Sequence, residues 1–394
     1  MTPQARVQAA IELLDEVIAA AAGQGAAADT LIARYFKARR YAGSKDRRAI
    51  RELVYAAIRR AGERPTNGRA AMVGLAGERD DLILLFDGSP HAPTPISPGE
   101  MGADRGIAPS WLAERLGATL SPEEMPALLD RAPLDLRVNR LKVDRGALIA
   151  ALADAIPTPH APDGLRLPEG TQIERTDAWN EGMVEVQDEG SQLAALATEV
   201  RGDMTVVDLC AGAGGKSLAL AAMMENHGRI VACDVDRARL SRLRPRVARA
   251  GANIIETRLL DPGAELAALA DLEAKADVLL VDAPCSGTGT WRRNPEARWR
   301  LTPERLDRLV SLQARLLNVA GALVRPGGVL IYVVCSLLAE EGLNQIESFL
   351  VDNPGWSALM PDLPAGRDVR HGIMLTPARD GTDGFFVARL LAPC

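Results

Sequence analysis

Within residues 8–62 the apolar positions recur with a helical period: Ile50, Leu53, Val54, Ala57 and Ile58 fall at i, i+3, i+4, i+7 and i+8, with Ser44 as the candidate N-cap. Residues 88–108, rich in Pro, Gly and Ser, read as a long loop. At LDLRVNRLKV (134–143) the period drops to two. A helix-like GALIAALADA, a turn-rich stretch and a strand-like MVEVQD follow, which together predict a small α/β unit. From residue 187 onward, runs that are apolar throughout alternate with helical stretches: TVVDLC (205–210), RIVACD (229–234), NIIET (253–257), DVLLVDA (277–283) and VLIYVV (329–334), closed by GFFVARLL (384–391). Strands covered by helices on both faces have this character, so the pattern predicts an α/β fold with a doubly wound, mainly parallel sheet. The expected organisation is an all-helical domain over 1–130, a small α/β insert over 131–186 and the doubly wound domain over 187–394.

A length of 394 residues suits two or three such units, and the hydrophobic and charged contents of 47% and 25% describe a globular chain. No stretch approaches the length of a membrane-spanning helix, and Asp15 and Glu16 interrupt the first apolar segment. A cytoplasmic protein with no membrane partner is expected. The five cysteines are odd in number, scattered and without a C-x-x-C pair, so free thiols are expected. The four histidines lie far apart in patterns that suit no metal.

A net charge of −6 argues against a nucleic-acid partner, but its distribution argues for one. Between Arg34 and Arg60 there are ten basic residues against only Asp46 and Glu52, a patch able to neutralise phosphates. Arg39, Arg40, Lys45, Arg47 and Arg48 are its candidate contacts. A solvated helix face accounts for the same charges equally well.

The first strand of the large domain runs into DLCAGAGGKSLALA (208–221), where Gly212, Gly214 and Gly215 let the backbone approach a ligand. Asp234 follows Gly214 by 20 residues, a position suited to ribose hydroxyls. A phosphate-binding G-x-x-x-x-G-K-[ST] loop fails because its first glycine is Cys210. A dinucleotide G-x-G-x-x-G fails at Ser217. S-adenosylmethionine remains as the adenosine-containing cofactor.

In DVLLVDAPCSGTGTWRRNPEARWR (277–300), Asp282 and Cys285 leave the carboxyl end of one strand, and VLIYVVCS brings Cys335 to the end of another. Both are sites where open α/β sheets bind ligands. A thiolate that adds to carbon 6 of a pyrimidine makes carbon 5 nucleophilic enough to accept a methyl group. Asp282 is suited to hydrogen-bond the base edge. Arg292, Arg293, Arg298 and Arg300, with the Arg-rich helix 237–249, are candidate phosphate contacts, and Trp291 and Trp299 are candidates for base stacking or for core packing. Spacing alone does not rank the two thiols.

At VQDEGSQLAAL (186–196), DLCAGAGGKS, VACDVDRARLSRL (231–243), VDAPCSGTGTWRRNPE and CSLLAEEGLNQI (335–346) the chain resembles the RsmB-type (Nop/Sun) RNA cytosine-5 methyltransferases. ADTLIARYFKARRYAGSKDRRAI resembles the NusB-like RNA-binding extension of bacterial members. The resemblance implies a class I Rossmann-like methyltransferase fold and an RRM-like insert. It also implies methylation of RNA, ribosomal RNA first and transfer RNA as the rival; the oligomeric state stays open, with a monomer favoured. A noncatalytic assembly factor is the reading from another class, and the intact Asp282, Cys285 and Cys335 oppose it. By resemblance Cys335 is the nucleophile and Cys285 assists breakdown of the adduct. Cys210, Ala211, Gly212, Ala213, Gly214, Gly215 and Lys216 form the cofactor loop, with Asp234, Asp261 and Asp282 as its acidic contacts. The family often has Pro in place of Ala213 and Thr in place of Val334. In DNA cytosine-5 methyltransferases the reactive cysteine is instead the one matching Cys285.

Overall fold

In a computed structural model, which describes every residue except Gln24, the chain divides into two units, Met1–Arg131 with Thr290–Pro303, and Ala132–Gly289 with Glu304–Cys394. The first unit is helical. Its main helices are α1 (Pro3–Ala21), α2 (Ala28–Ala38), α3 (Ser44–Arg60) and α4 (Gly68–Ala76), which bury Leu13, Leu14, Ile32, Ile50, Ile58 and Met72. Asn67 caps α4 by accepting the N–H of Ala70 at 2.8 Å. A Cβ at Gly68 would lie 2.1 Å from the carbonyl oxygen of Ile11, so glycine is what lets α4 start against α1. Ser44 is not the cap of α3. That position is Gly43, whose N–H donates to the Asp46 carboxylate.

Thr290–Pro303 was expected within the large domain but belongs to the helical unit, because its side chains find their partners there. The fully buried Arg298 guanidinium donates to the carbonyls of Ile58 at 2.6 Å and Ala61 at 2.8 Å, closing the C-terminus of α3. Trp299 packs in the helical core with its indole N–H on the same turn, and the Glu296 carboxylate accepts the N–H of Ala28 at the start of α2.

In the second unit, β1 (Leu134–Val138), β2 (Ile156–Pro157), β3 (Gly164–Leu167) and β4 (Val184–Val186) form an antiparallel sheet in the order β2-β3-β1-β4. The large sheet follows: β5 (Thr205–Asp208), β6 (Arg229–Asp234), β7 (Ile255–Leu259), β8 (Ala276–Asp282), β9 (Val324–Val334), β10 (Ser357–Leu359), β11 (Arg367–Val369), β12 (Gly372–Leu375) and β13 (Phe385–Leu391). Its order is β11-β12-β13-β9-β8-β5-β6-β7, with β10 also on β13. Strands β7, β6, β5, β8 and β9 are mutually parallel, and β13 runs antiparallel to β9. After β5 the chain winds first toward β6 and β7, then returns to β8 and β9 on the other side. This reversal opens a crevice at the carboxyl ends of β5 and β8, where ligands of such sheets bind. No helix among the described residues is long and apolar enough to cross a membrane.

Candidate active site

The crevice is lined by what leaves the ends of β5, β8 and β9. Asp282 ends β8 and pairs in register with Val333, two residues before Cys335, so neighbouring parallel strands deliver both thiols together. Cys285 Sγ and Cys335 Sγ lie 3.4 Å apart, and both residues are half-buried.

A hydroxyl and carboxylate network holds the two thiol-bearing turns. The fully buried Glu341 carboxylate accepts the N–H of Ser286 at 2.8 Å, the Ser286 hydroxyl, and Gln313 Nε2 at 3.0 Å. Ser336 Oγ stands 3.2 Å from Ser286 Oγ and 3.1 Å from Thr288 Oγ1, and the N–H of Gly289 donates to the carbonyl of Cys335 at 3.0 Å. Gly289 also meets Gly384 so closely that a Cβ would lie 2.1 Å from the Gly384 carbonyl oxygen.

The surroundings of the thiols differ. Cys285 is pushed well above the ordinary thiol range, first by its hydrogen bond to Cys335, then by burial and by the charges of Cys335 and Glu341. On the other side lies the buried Lys216, whose Nζ donates to Asp282 Oδ2 at 2.7 Å. Burial works against the Lys216 ammonium, yet the charge and hydrogen bond of Asp282, with Cys335 and Asp208, hold it above the ordinary lysine range. Cys285 therefore keeps its proton, and Cys335 is among the groups whose charge acts on the Lys216 ammonium.

At the foot of the crevice, Asp208 Oδ2 accepts the Ser217 hydroxyl at 2.6 Å, and its other oxygen is buried without a partner. Burial raises Asp208 to about 7 despite that hydrogen bond, and Asp282 adds to the rise. Between β5 and helix Gly215–Met223, Gly212 and Gly214 take φ of +57° and +84°, which only glycine adopts without strain. The N–H of Gly212 donates to Asp234 Oδ2 at 2.7 Å, and Leu260 donates to the Asp234 carbonyl at 2.9 Å, which sets the exposed Asp261 on the turn beside it.

The profile described as 16S rRNA methyltransferase RsmB/F matches residues 195–391, and the ferredoxin-like domain of RsmF/B-like methyltransferases matches 108–174. The chain belongs to the RsmB/F methyltransferase family. It is similar to ribosomal RNA small subunit methyltransferase B of Sodalis glossinidius (strain morsitans), with 33% identity over 309 residues, 76% of this chain and 69% of that relative. The crystal structure of PH0851 has a TM-score of 0.78 and 25% identity over 99% of both chains. That of a methyltransferase homologue from Pyrococcus horikoshii has a TM-score of 0.62 and 28% identity over 72% of this chain and 94% of that one.

As an RsmB/F enzyme the chain uses S-adenosylmethionine, and its loop suits that ligand. A Cβ at Gly215 would meet nothing within 4 Å, so the loop leaves open space there, and Asp234 keeps acceptor capacity beside it. The arginines fare unevenly. Arg40, Lys45, Arg47 and Arg48 are exposed, with Arg47 Nε on the carbonyl of Ala42 at 2.8 Å. Arg39 lies over the Tyr35 ring at 3.6 Å and 3.4 Å from Glu12, so it is partly committed within the helical unit. Arg293 is half-buried and Arg292 is only 7% exposed; burial removes Arg292 from the expected phosphate contacts, as it removes Arg298. Trp291 and Trp299 are likewise buried and offer no ring to a base. The expected single helix 237–249 is two, Arg237–Ser241 and Leu243–Ala250, and Arg246 and Arg249 turn inward to Glu185.

Sequence reasoning missed Glu341, Gln313, Ser286, Ser336 and Thr288, and it missed the pairing of Lys216 with Asp282. The usable signal was position: all but Gln313 stand in the segments that carry Cys285, Cys335 or the loop glycines, and Gln313, on the helix Pro303–Leu323, had no such signal.

Proposed function

We propose that this enzyme methylates carbon 5 of a cytosine in 16S ribosomal RNA, with Cys335 as the nucleophile and a covalent protein–RNA adduct as the intermediate. The observation that carries the reading is the pair of sulfurs in contact with unlike surroundings, Cys285 holding its proton and Cys335 among the groups whose charge acts on the Lys216 ammonium. Bound S-adenosylmethionine supplies the methyl group. The Cys335 thiolate adds to carbon 6 of the flipped cytosine, forming the S–C6 bond and making carbon 5 nucleophilic. Asp282, held by Lys216, hydrogen-bonds the base edge and stabilises the adduct. After transfer, the carbon 5 proton leaves and the S–C6 bond breaks; Cys285, adjacent to both, assists that breakdown. The Cys210–Lys216 loop with Asp234, Asp261 and Asp282 holds the cofactor.

The ribosomal substrate rests on relatives described as small subunit methyltransferases over most of this chain. The exposed Arg40, Lys45, Arg47 and Arg48 of the helical unit are the proposed contacts to the RNA backbone, with Arg39 and Arg293 in lesser, partly committed roles. In the test, unmodified 16S rRNA and tRNA are incubated with labelled S-adenosylmethionine, and the digested nucleosides are identified. The expected result is 5-methylcytidine in 16S rRNA alone. Label in tRNA alone, or in a nucleoside other than 5-methylcytidine, contradicts the reading.

A further inference from the structure

We propose that Arg246 is a positioning residue for the cofactor loop, setting the affinity for S-adenosylmethionine through the backbone. The inference rests on the reading that the Cys210–Lys216 loop holds that cofactor. In sequence Arg246 is one of a run of arginines that resembles a solvated basic face. In the structure its guanidinium turns inward: Nη1 donates to the carbonyl of Ala213 at 2.6 Å, and Nη2 and Nε donate to Glu185 Oε2 at 2.8 and 3.3 Å. Each of its three nitrogens is thus directed at a partner inside the protein.

Glu185 is the anchor. It sits on β4 of the small sheet, 1% exposed, and also pairs with Arg249, whose guanidinium stacks 3.9 Å from the Trp179 ring. Asn139 Nδ2 fixes the same junction by donating to the carbonyls of Gly182 and Ala250, both at 2.9 Å. Arg246 is thus held from behind before it reaches the loop.

What it holds is one peptide plane. The carbonyl of Ala213 and the N–H of Gly214 belong to the same rigid unit, and that N–H donates to the carbonyl of Ala211 at 2.8 Å. With both ends pinned, the plane has one orientation, although it lies between the two loop residues of greatest backbone freedom, Gly212 and Gly214. A loop already ordered costs less entropy when a ligand binds. The small sheet, through Glu185 and Arg246, therefore tunes the cofactor site without entering it.

The test measures equilibrium binding of S-adenosylmethionine and S-adenosylhomocysteine to the full chain, together with KM, kcat and thermal midpoint. The proteins are wild type, Asp234→Ala, Arg246→Gln, and Arg246→Gln combined with Ala213→Pro. Glu185 keeps Arg249 in each, so no buried carboxylate is stranded. Arg246→Gln is expected to bind both ligands about tenfold more weakly, the size of one charged hydrogen bond, with kcat at saturating cofactor retained. Proline at 213 is expected to recover part of the loss by restricting the same backbone. Loss of affinity in Asp234→Ala with none in Arg246→Gln overturns the clamp alone. Unchanged affinity in both overturns the loop as the cofactor site. A lower thermal midpoint with KM unmoved, or with no relief from proline, reduces Arg246 to a structural role and overturns the proposal.

Discussion

Cys285 and Cys335 are 50 residues apart in the chain and 3.4 Å apart at their sulfurs, because β8 and β9 are adjacent and parallel and each ends just before its cysteine. The contact is what raises Cys285, ahead of burial. Removing the partner should release it. In Cys335→Ala, the Cys285 thiol is expected to react with iodoacetamide roughly three- to tenfold faster at mildly alkaline pH, as its thiolate fraction grows. Mass-spectrometric rates at the two peptides check this, and an unchanged or slower Cys285 rate contradicts it.

Asp208 makes a pH-dependent contribution whose sign follows from its raised pKa. In the folded state it titrates near 7, against an ordinary value of 3.8. Between those values the folded chain keeps a proton that the unfolded chain has lost, so this group's contribution to stability is full at acid pH and falls away as pH rises through about 7. Asp208→Asn removes that slope. Relative to wild type, the variant is expected to gain stability from about pH 4.5 to about pH 8, by roughly 4 kcal/mol at most. Urea unfolding at both pH values measures it, and a gain that shrinks with rising pH contradicts the assignment.

Arg298 ties Thr290–Pro303 to the end of α3. Its guanidinium meets the carbonyls that end α3, and burial pulls its pKa down to about 9, which leaves it charged at neutral pH. Arg298→Met keeps the volume but removes the donor to the Ile58 carbonyl and leaves the Ala61 carbonyl only the Trp299 indole, so a loss of about 2–4 kcal/mol is expected. Hydrogen exchange should quicken most in the last turn of α3. Exchange that is unaltered there, with stability intact, would contradict the capping role.

The parallel strands were legible because burial on both faces leaves a continuous apolar run, which RIVACD and VLIYVV display and few other elements do. β7 was expected at 253–257 and is found at Ile255–Leu259, because it is the edge strand, only partly covered, and its apolar run is short. The placement of Arg298 was not legible. Its partners at the end of α3 lie 237 to 240 residues earlier, and in sequence it is one more arginine beside Arg292, Arg293 and Arg300. Glu341 was hidden for a similar reason: Glu340-Glu341 reads as a surface pair, and only the fold turns one of the two into the brace of the thiol turns. The Lys216 charge beside the thiols comes from another element, so the linear motif leaves the two unranked and resemblance alone points to Cys335.

The central claim is that Cys335 makes the covalent bond to the base and Cys285 helps to break it. Wild type, Cys285→Ala, Cys335→Ala and the double variant are incubated with 16S rRNA and S-adenosylmethionine, and protein–RNA adducts that survive denaturation are separated by gel. The account predicts an adduct that accumulates in Cys285→Ala and is absent from both proteins lacking Cys335. An adduct that persists in Cys335→Ala and vanishes in Cys285→Ala would reverse the roles and contradict the account.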